Sequence, residues 1–210
     1  MIHDIQWLGH SSFILRTSPS IALSPWRIAE RGPADFILIG HEHYDHFSPP
    51  DIQKLRGPRT RIVANERIAQ LMDGVTVLRP WQSLAFNTCR ITAVPAYSPN
   101  DPRHPQERGD LGFLISLDDY DLYYAGDTDL IPEMSRLHPD VVILPIDDNG
   151  TLSVERAAQA VSVLRPSIVI PCNWANSGRV NLSDALRLQR LVAEQAKVIF
   201  PQHNQLITTH

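Results

Sequence analysis

Between residues 40 and 46 the chain reads Gly40-His41-Glu42-His43-Tyr44-Asp45-His46, which packs three imidazoles and two carboxylates into six consecutive positions. Neutral imidazole nitrogen and carboxylate oxygen are donors for zinc, manganese or iron, and the stretch offers no thiolate. His41 and His43 stand two residues apart, so in extended chain they point the same way. A turn after them lets Asp45 and His46 face a neighbouring position. The alternative is a polar loop that happens to be rich in histidine.

The elements on either side decide where this stretch sits. Asp35-Phe36-Ile37-Leu38-Ile39 is an apolar run of buried-strand length, and Ser48-Pro49-Pro50-Asp51 starts a helix, with Ser48 as its cap and Asp51 at capping-box spacing. The histidines therefore occupy a strand-to-helix loop. Upstream, Ile2 to Leu8, Phe13 to Arg16 and Ile21 to Leu23 predict an antiparallel meander, with His10 at a bend. Downstream, the helix ends near Gly57-Pro58. Arg61 to Ala64, a helix capped by Asn65 over Glu66 to Met72, and Val75 to Leu78 complete a β-α-β-α-β passage. Ser83 to Phe86 and Cys89 to Val94 form a hairpin around Asn87-Thr88 that leads into a proline-rich, charged loop from Tyr97 to Gly109. Leu111 to Leu117 and Leu122 to Ala125 form another around Asp118-Asp119, whose second strand delivers Asp127. Strands at Val141 to Ile146, Ile168 to Pro171 and Lys197 to Pro201 then alternate with two helices. The first, Ser153 to Leu164, carries Val154, Ala157, Ala158, Val161 and Leu164 on one face. The second, Ser183 to Gln195, carries Leu186, Leu188, Leu191 and Val192.

Composition narrows the function. A length of 210 residues fits one domain, 1–210, and 43% hydrophobic content leaves enough for a sizeable core. The net charge is −4 and the chain has only two lysines, Lys54 and Lys197, so it lacks the basic stripe that a nucleic-acid backbone demands. No segment reaches the roughly 18 apolar residues of a membrane span, and the start shows no signal-peptide pattern. The expectation is a cytoplasmic protein with no nucleic-acid or membrane partner, acting on a small-molecule substrate. Cys89 and Cys172 are expected as free, buried thiols. The oligomeric state leaves no mark in the sequence.

The H-x-H-x-D-H pattern of His41, His43, Asp45 and His46 resembles the signature of the metallo-β-lactamase superfamily. Ile5-Gln6-Trp7-Leu8-Gly9-His10-Ser11-Ser12-Phe13, Ala93-Val94-Pro95-Ala96-Tyr97, and Tyr124-Ala125-Gly126-Asp127-Thr128-Asp129 followed by Ile131-Pro132-Glu133-Met134 are similar to the branch of small hydrolases related to ascorbate-6-phosphate lactonase. The resemblance runs over about residues 2 to 174. It implies an α/β (α+β) fold, a four-layer αβ/βα sandwich of two mixed β-sheets with outer helices. It also implies Zn2+, or else Mn2+ or Fe2+, at one or two ions per chain. His41 and His43 would hold the first ion, Asp45 and His46 the second, and Asp127 both, unless Asp127 instead caps the helix that follows it. His10 would stand near the cleft but outside the ligand set, or else be a hydrogen-bonded turn histidine.

The chain departs from the family pattern at three places. Ser24-Pro25-Trp26 replaces an Asp-Pro, which removes a carboxylate. Ser98 offers no imidazole, and His104 in His104-Pro105 is the substitute ligand of the first ion, unless it is a solvated loop histidine. Asn173 in Ile170-Pro171-Cys172-Asn173-Trp174 replaces the last histidine. An amide oxygen binds zinc less well than imidazole, so the second subsite is expected to be the weaker. The implied chemistry is hydrolysis of a lactone, ester or phosphorylated sugar derivative by metal-bound hydroxide. Asp45 would orient the hydroxide, Asp127 would position it, and Tyr97 would steady the oxyanion or else simply pack at the rim. Arg103 and Arg108 are candidates to hold a substrate anion, or are plainly solvated. A ligand-altered member with weak or no catalysis, acting as a binding or regulatory protein, is the alternative function.

Overall fold

The structure, a computed structural model, describes residues 4–117, 120–176, 179–180 and 182–207. The chain forms two compact units, Met1–Arg79 with Pro201–His210, and Pro80–Phe200.

In the first unit six strands lie side by side in chain order: β1 (Ile5–Gly9), β2 (Ser12–Leu15), β3 (Ile21–Leu23), β4 (Phe36–Ile39), β5 (Arg61–Ala64) and β6 (Val75–Val77). The first three pair antiparallel, as the expected meander, and β3 to β6 run parallel. The parallel crossovers carry α1 (Pro49–Leu55) and α2 (Glu66–Ala69). Ile52, Leu55 and Ile68 of these helices join Ile14, Ala22, Ile37, Ile39, Ile62 and Ala64 of the sheet in one apolar cluster. The opposite faces of the strands, with Phe13, Leu23, Phe36, Leu38 and Val63, are equally buried. β4 is therefore apolar at every position, as a strand buried on both faces must be. Each buried Ile or Leu in it is worth about 1.5–3 kcal/mol, against about 1 kcal/mol for a loop hydrogen bond. The strand, more than the loop's own bonds, fixes where the histidine stretch begins.

Two local expectations need correction. Ser48 stands at the N-cap of α1, its carbonyl accepting from Asp51 N and Ile52 N at 3.0 and 2.9 Å, but its side chain makes no capping bond. Pro49 and Pro50 fill the first turn and bring no N–H, and the Ser48 hydroxyl donates to Asp51 Oδ2 at 2.6 Å instead. Asn65 does cap α2, accepting from Ile68 N at 3.0 Å. The helix itself stops at Ala69, and turn bonds from Leu71 and Met72 to Ile68 finish the segment.

The second unit has a seven-stranded sheet in the order β15, β12, β11, β10, β9, β8, β7, where β7 is Ser83–Phe86, β8 Cys89–Pro95, β9 Leu111–Ser116, β10 Asp121–Tyr124, β11 Val141–Pro145, β12 Ile168–Cys172 and β15 Lys197–Val198. The side from β7 to β10 is antiparallel and the side from β10 to β15 parallel. β13 (Ala175–Asn176) and β14 (Arg179–Val180) pair separately. The expected turn at Asp118-Asp119 lies outside the described residues. α3 (Val154–Leu164) starts on a Ser153 cap and buries Val154, Ala157, Ala160, Val161 and Leu164, so Ala160 takes the place expected for Ala158. α4 (Leu182–Val192) buries Ala185, Leu188 and Val192 and leaves Leu186 and Leu191 exposed, against expectation. The buried set recurs at i, i+3 and i+7, one helical face, and the other two leucines fall outside that stripe.

The six-stranded and seven-stranded sheets are each mixed and helix-bearing, as expected. No helix among the described residues is long and apolar enough to cross a membrane.

Candidate metal centre

β4 ends at Ile39, and the chain stays extended through His41 to His43 before turning, with His46 N and Phe47 N both donating to His43 O at 2.9 and 2.8 Å. The expected alternation holds. Glu42 points away to bond Arg67 Nε at 2.7 Å, and the rings of His41 and His43 meet edge to face with centroids 4.7 Å apart. The turn returns His46 to within 4.3 Å of His41, centroid to centroid. His41 and His46 are each 1% exposed, and Tyr44 between them is the exposed residue of the loop.

A fourth imidazole joins this group. The β1–β2 hairpin slips register at Trp7/Gly9, and the corner passes through Gly9 at φ 109° and His10 at φ 49°. Such a left-handed pair favours glycine first and tolerates histidine second. Trp7 Nε1 donates to His10 O at 2.9 Å, and the His10 ring packs edge-on to Trp26 and His46, each at 5.4 Å. Trp26, which follows the Ser24-Pro25 that replaces the family's Asp-Pro, thus supports the cluster by packing rather than by charge. His10 Nε2 lies 3.2 Å from Asp45 Oδ2, and His10, Asp45 and His46 each offer a donor atom within 4.8 Å of the others. His10 is buried, yet neither of its ring nitrogens makes a hydrogen bond among the described residues. It is therefore not the hydrogen-bonded turn histidine of the bland alternative.

The second unit carries the remaining expected donors. β10 runs out at Tyr124, and Gly126 at φ 67° turns the chain so closely past β9 that a Cβ would meet Leu111 O at 3.0 Å. This delivers Asp127. Thr128 Oγ1 accepts from Tyr97 N and donates to Tyr97 O, and Asp129 pairs with Arg156 of α3, so the chain just after Asp127 is anchored. The loop after Tyr97 folds back on itself, Ser98 N donating to His104 O at 2.8 Å, which buries His104. His104 Nε2 lies 3.9 Å from Asp127 Oδ2, and its Nδ1 lies 3.6 Å from Asp110 Oδ2. A solvated loop histidine would not be buried between two carboxylates. Asn173, at φ 61°, donates Nδ2 to Asp127 Oδ1 at 3.2 Å.

Three further expected residues have other partners. Tyr97 donates its hydroxyl to Glu133 Oε2 at 3.0 Å, and burial together with Glu133 pushes its pKa up. Arg103 bonds Asp101 and Asn149, and holds the Asp101 carboxyl down at about 2. Arg108 lies 3.3 Å from Asp110. The two arginines are thus neither simply solvated nor standing clear for a substrate anion. Beside them a cleft of about 480 Å³ is lined by Tyr97, Ser98, Asn100, Asp101, Pro105 and Gln106. Sequence reasoning left His10 outside the ligand set and overlooked Asp110. The Gly9-His10 dipeptide at a hairpin corner was the available signal for the former, and nothing in the spacing signals the latter.

These donors fit a metal. They are imidazole nitrogens and carboxylate oxygens in the combination zinc, manganese or iron accept, with a buried imidazole whose nitrogens would otherwise lack hydrogen bonds.

A profile of the beta-lactamase superfamily domain matches residues 4–173. A UPF0173 metal-dependent hydrolase of Pyrococcus abyssi is 31% identical over 215 residues, 93% of this chain and 94% of its own. The chain belongs to the metallo-β-lactamase superfamily and, within it, to the UPF0173 metal-dependent hydrolase family. Among solved structures, a crystal structure from Parabacteroides distasonis is 30% identical with a TM-score of 0.84, covering 96% of this chain and 93% of that one. The metallo hydrolase Igni18 from Ignicoccus hospitalis, at 21% identity and a TM-score of 0.78, covers 98% and 97% and shares the fold. The two mixed, helix-bearing sheets are those of the metallo-β-lactamase fold.

Proposed function

We propose that this chain is a cytoplasmic metal-dependent hydrolase of a small molecule, a lactone, an ester or a phosphorylated sugar derivative. The observation that carries the reading is the gathering of His41, His43, Asp45 and His46 at the end of β4, in the pattern the family uses for its ions. By that pattern His41 and His43 would hold a first ion and Asp45 and His46 a second, and His104 and Asp127 are the donors the pattern would draw from the second unit. Zn2+ is the ion the donors suit best, with Mn2+ or Fe2+ as the other candidates. When bound, such ions polarise a carbonyl or phosphoryl oxygen and activate water.

The chain's own residues supply the rest. Asp45 would orient the attacking water. Asn173 fixes the rotation of Asp127, and the Asp110 carboxylate, 3.6 Å from Nδ1 of His104, faces that ring. Tyr97 keeps its proton at neutral pH and turns it from Glu133 to the developing oxyanion. The cleft beside Tyr97 has the volume of a small-molecule site. The net charge of −4 favours a small substrate over a nucleic acid, and two free, buried cysteines agree with a reducing compartment. The alternative of a degenerate binding protein rests on Ser24, Ser98 and Asn173. The hydrogen bond from Asn173 to Asp127 weighs against it.

A panel of lactones, esters and phosphoesters tests the reading. Cleavage should require divalent metal and be lost in Asp127→Asn with the melting temperature unchanged. Cleavage indifferent to chelator and to that substitution would exclude it.

A further inference from the structure

We infer that His10 is a protein ligand of the second metal ion, together with Asp45 and His46, in the role for which Asn173 was expected. The inference rests on the metal reading above and concerns which side chains complete it.

Three observations carry it. The first is a distance. Two donors each bound at about 2.0–2.1 Å to one tetrahedral ion stand roughly 3.3 Å apart, and His10 Nε2 lies 3.2 Å from Asp45 Oδ2. The second is that this approach is not a hydrogen bond. Neither nitrogen of the ring makes a hydrogen bond among the described residues although His10 is only 6% exposed. A buried imidazole without hydrogen bonds costs about 1–3 kcal/mol, and an ion between His10, Asp45 and His46 removes that cost.

The third observation is that the ring is held in place from outside. The left-handed Gly9-His10 corner, the bond from Trp7 Nε1 to His10 O, and edge packing on Trp26 fix its direction before any ion arrives. Asn173 meanwhile directs its amide nitrogen, not its oxygen, at Asp127. Its contribution is then to position a carboxylate, and the second subsite keeps two imidazoles without it. The subsite should consequently be strong, contrary to what Asn173 alone suggests.

The test measures metal, not turnover. Full-length protein stripped with chelator, reloaded with Zn2+ and desalted should carry two ions per chain by elemental analysis. His10→Phe, which keeps a ring against Trp26 but has no donor, should carry one, and Asn173→Ala should still carry two. Cobalt-loaded wild type and His10→Phe should differ in their d–d absorption. If His10→Phe fails to fold, a long-range 1H–15N spectrum of the wild type decides, since the His10 Nε2 resonance must shift on adding Zn2+. Equal stoichiometry in wild type and a folded His10→Phe, or an unmoved His10 resonance, overturns the inference. A wild type that binds no metal at all defeats instead the hydrolase reading on which it rests.

Discussion

Asn173 and Asp127 are joined side chain to side chain, amide Nδ2 to carboxylate Oδ1 at 3.2 Å, although they come from the ends of different strands, β12 and β10. The amide thus fixes which carboxylate oxygen remains for other partners. Asn173→Ala should lower kcat roughly 10–100-fold, the usual cost of losing a residue that orients a metal ligand. Steady-state kinetics beside elemental analysis check this, because metal content should change less than turnover.

The histidine loop should make stability depend on metal. Zinc at a hundredfold its Kd should stabilise the wild type by about 2.7 kcal/mol, read as a rise in melting temperature. A variant with His41, His43 and His46 all changed to alanine should show no such rise. Equal shifts in both proteins would place the zinc elsewhere.

Asp51 is a structural carboxylate with a pH signature. Burial opposes its charge, but hydrogen bonds from Lys54, Ser48 and the Arg27 amide outweigh that and lower its pKa from the ordinary 3.8. A depressed folded pKa stabilises above the unfolded value, and the gain is lost as pH falls through the folded one. Asp51→Asn should therefore cost about 1–3 kcal/mol near neutral pH. In urea melts its deficit against wild type should shrink as pH falls below 3.8.

Tyr97 titrates in the opposite sense. Burial and the Glu133 carboxylate raise its pKa above the ordinary 10.0, so the phenol stays protonated through neutral and mildly alkaline pH. The neutral form is the one the fold favours. Its contribution is whole below 10.0 and fades as pH rises through the folded value. If Tyr97 serves the oxyanion, Tyr97→Phe should lower kcat with little change in KM, and any alkaline limb of the pH–rate profile should persist. A change confined to thermal stability would assign it to packing with Glu133.

The fold was legible in the chain because its strands are short apolar runs between turn residues, and β4 in particular is apolar at every position. The spacing of His41, His43, Asp45 and His46 was legible for the same reason: strand alternation turns sequence distance into direction, and Glu42 pairing with Arg67 on the opposite side shows the rule at work. His10 was not, since it stands 31 positions before His41 and only the pairing of β1 to β4 brings them together. The ion pairs that engage Arg103 and Arg108 were hidden likewise, in a loop whose path no periodicity predicts. Ser48 marked the helix start correctly, but its hydroxyl turned to the Asp51 carboxylate instead of the Asp51 N–H, which the Ser48 carbonyl takes.

The tail that returns along β1 carries a further consequence. Asn204 N donates to Trp7 O and Ile207 N to Ile5 O, while Gln6 bridges Leu206. β1 is the outermost strand of its sheet, and its bare rim would be a template for a second chain to add to. Residues 204–207 occupy that rim, so the segment that steadies the strand leading to His10 also guards the protein against edge-to-edge aggregation.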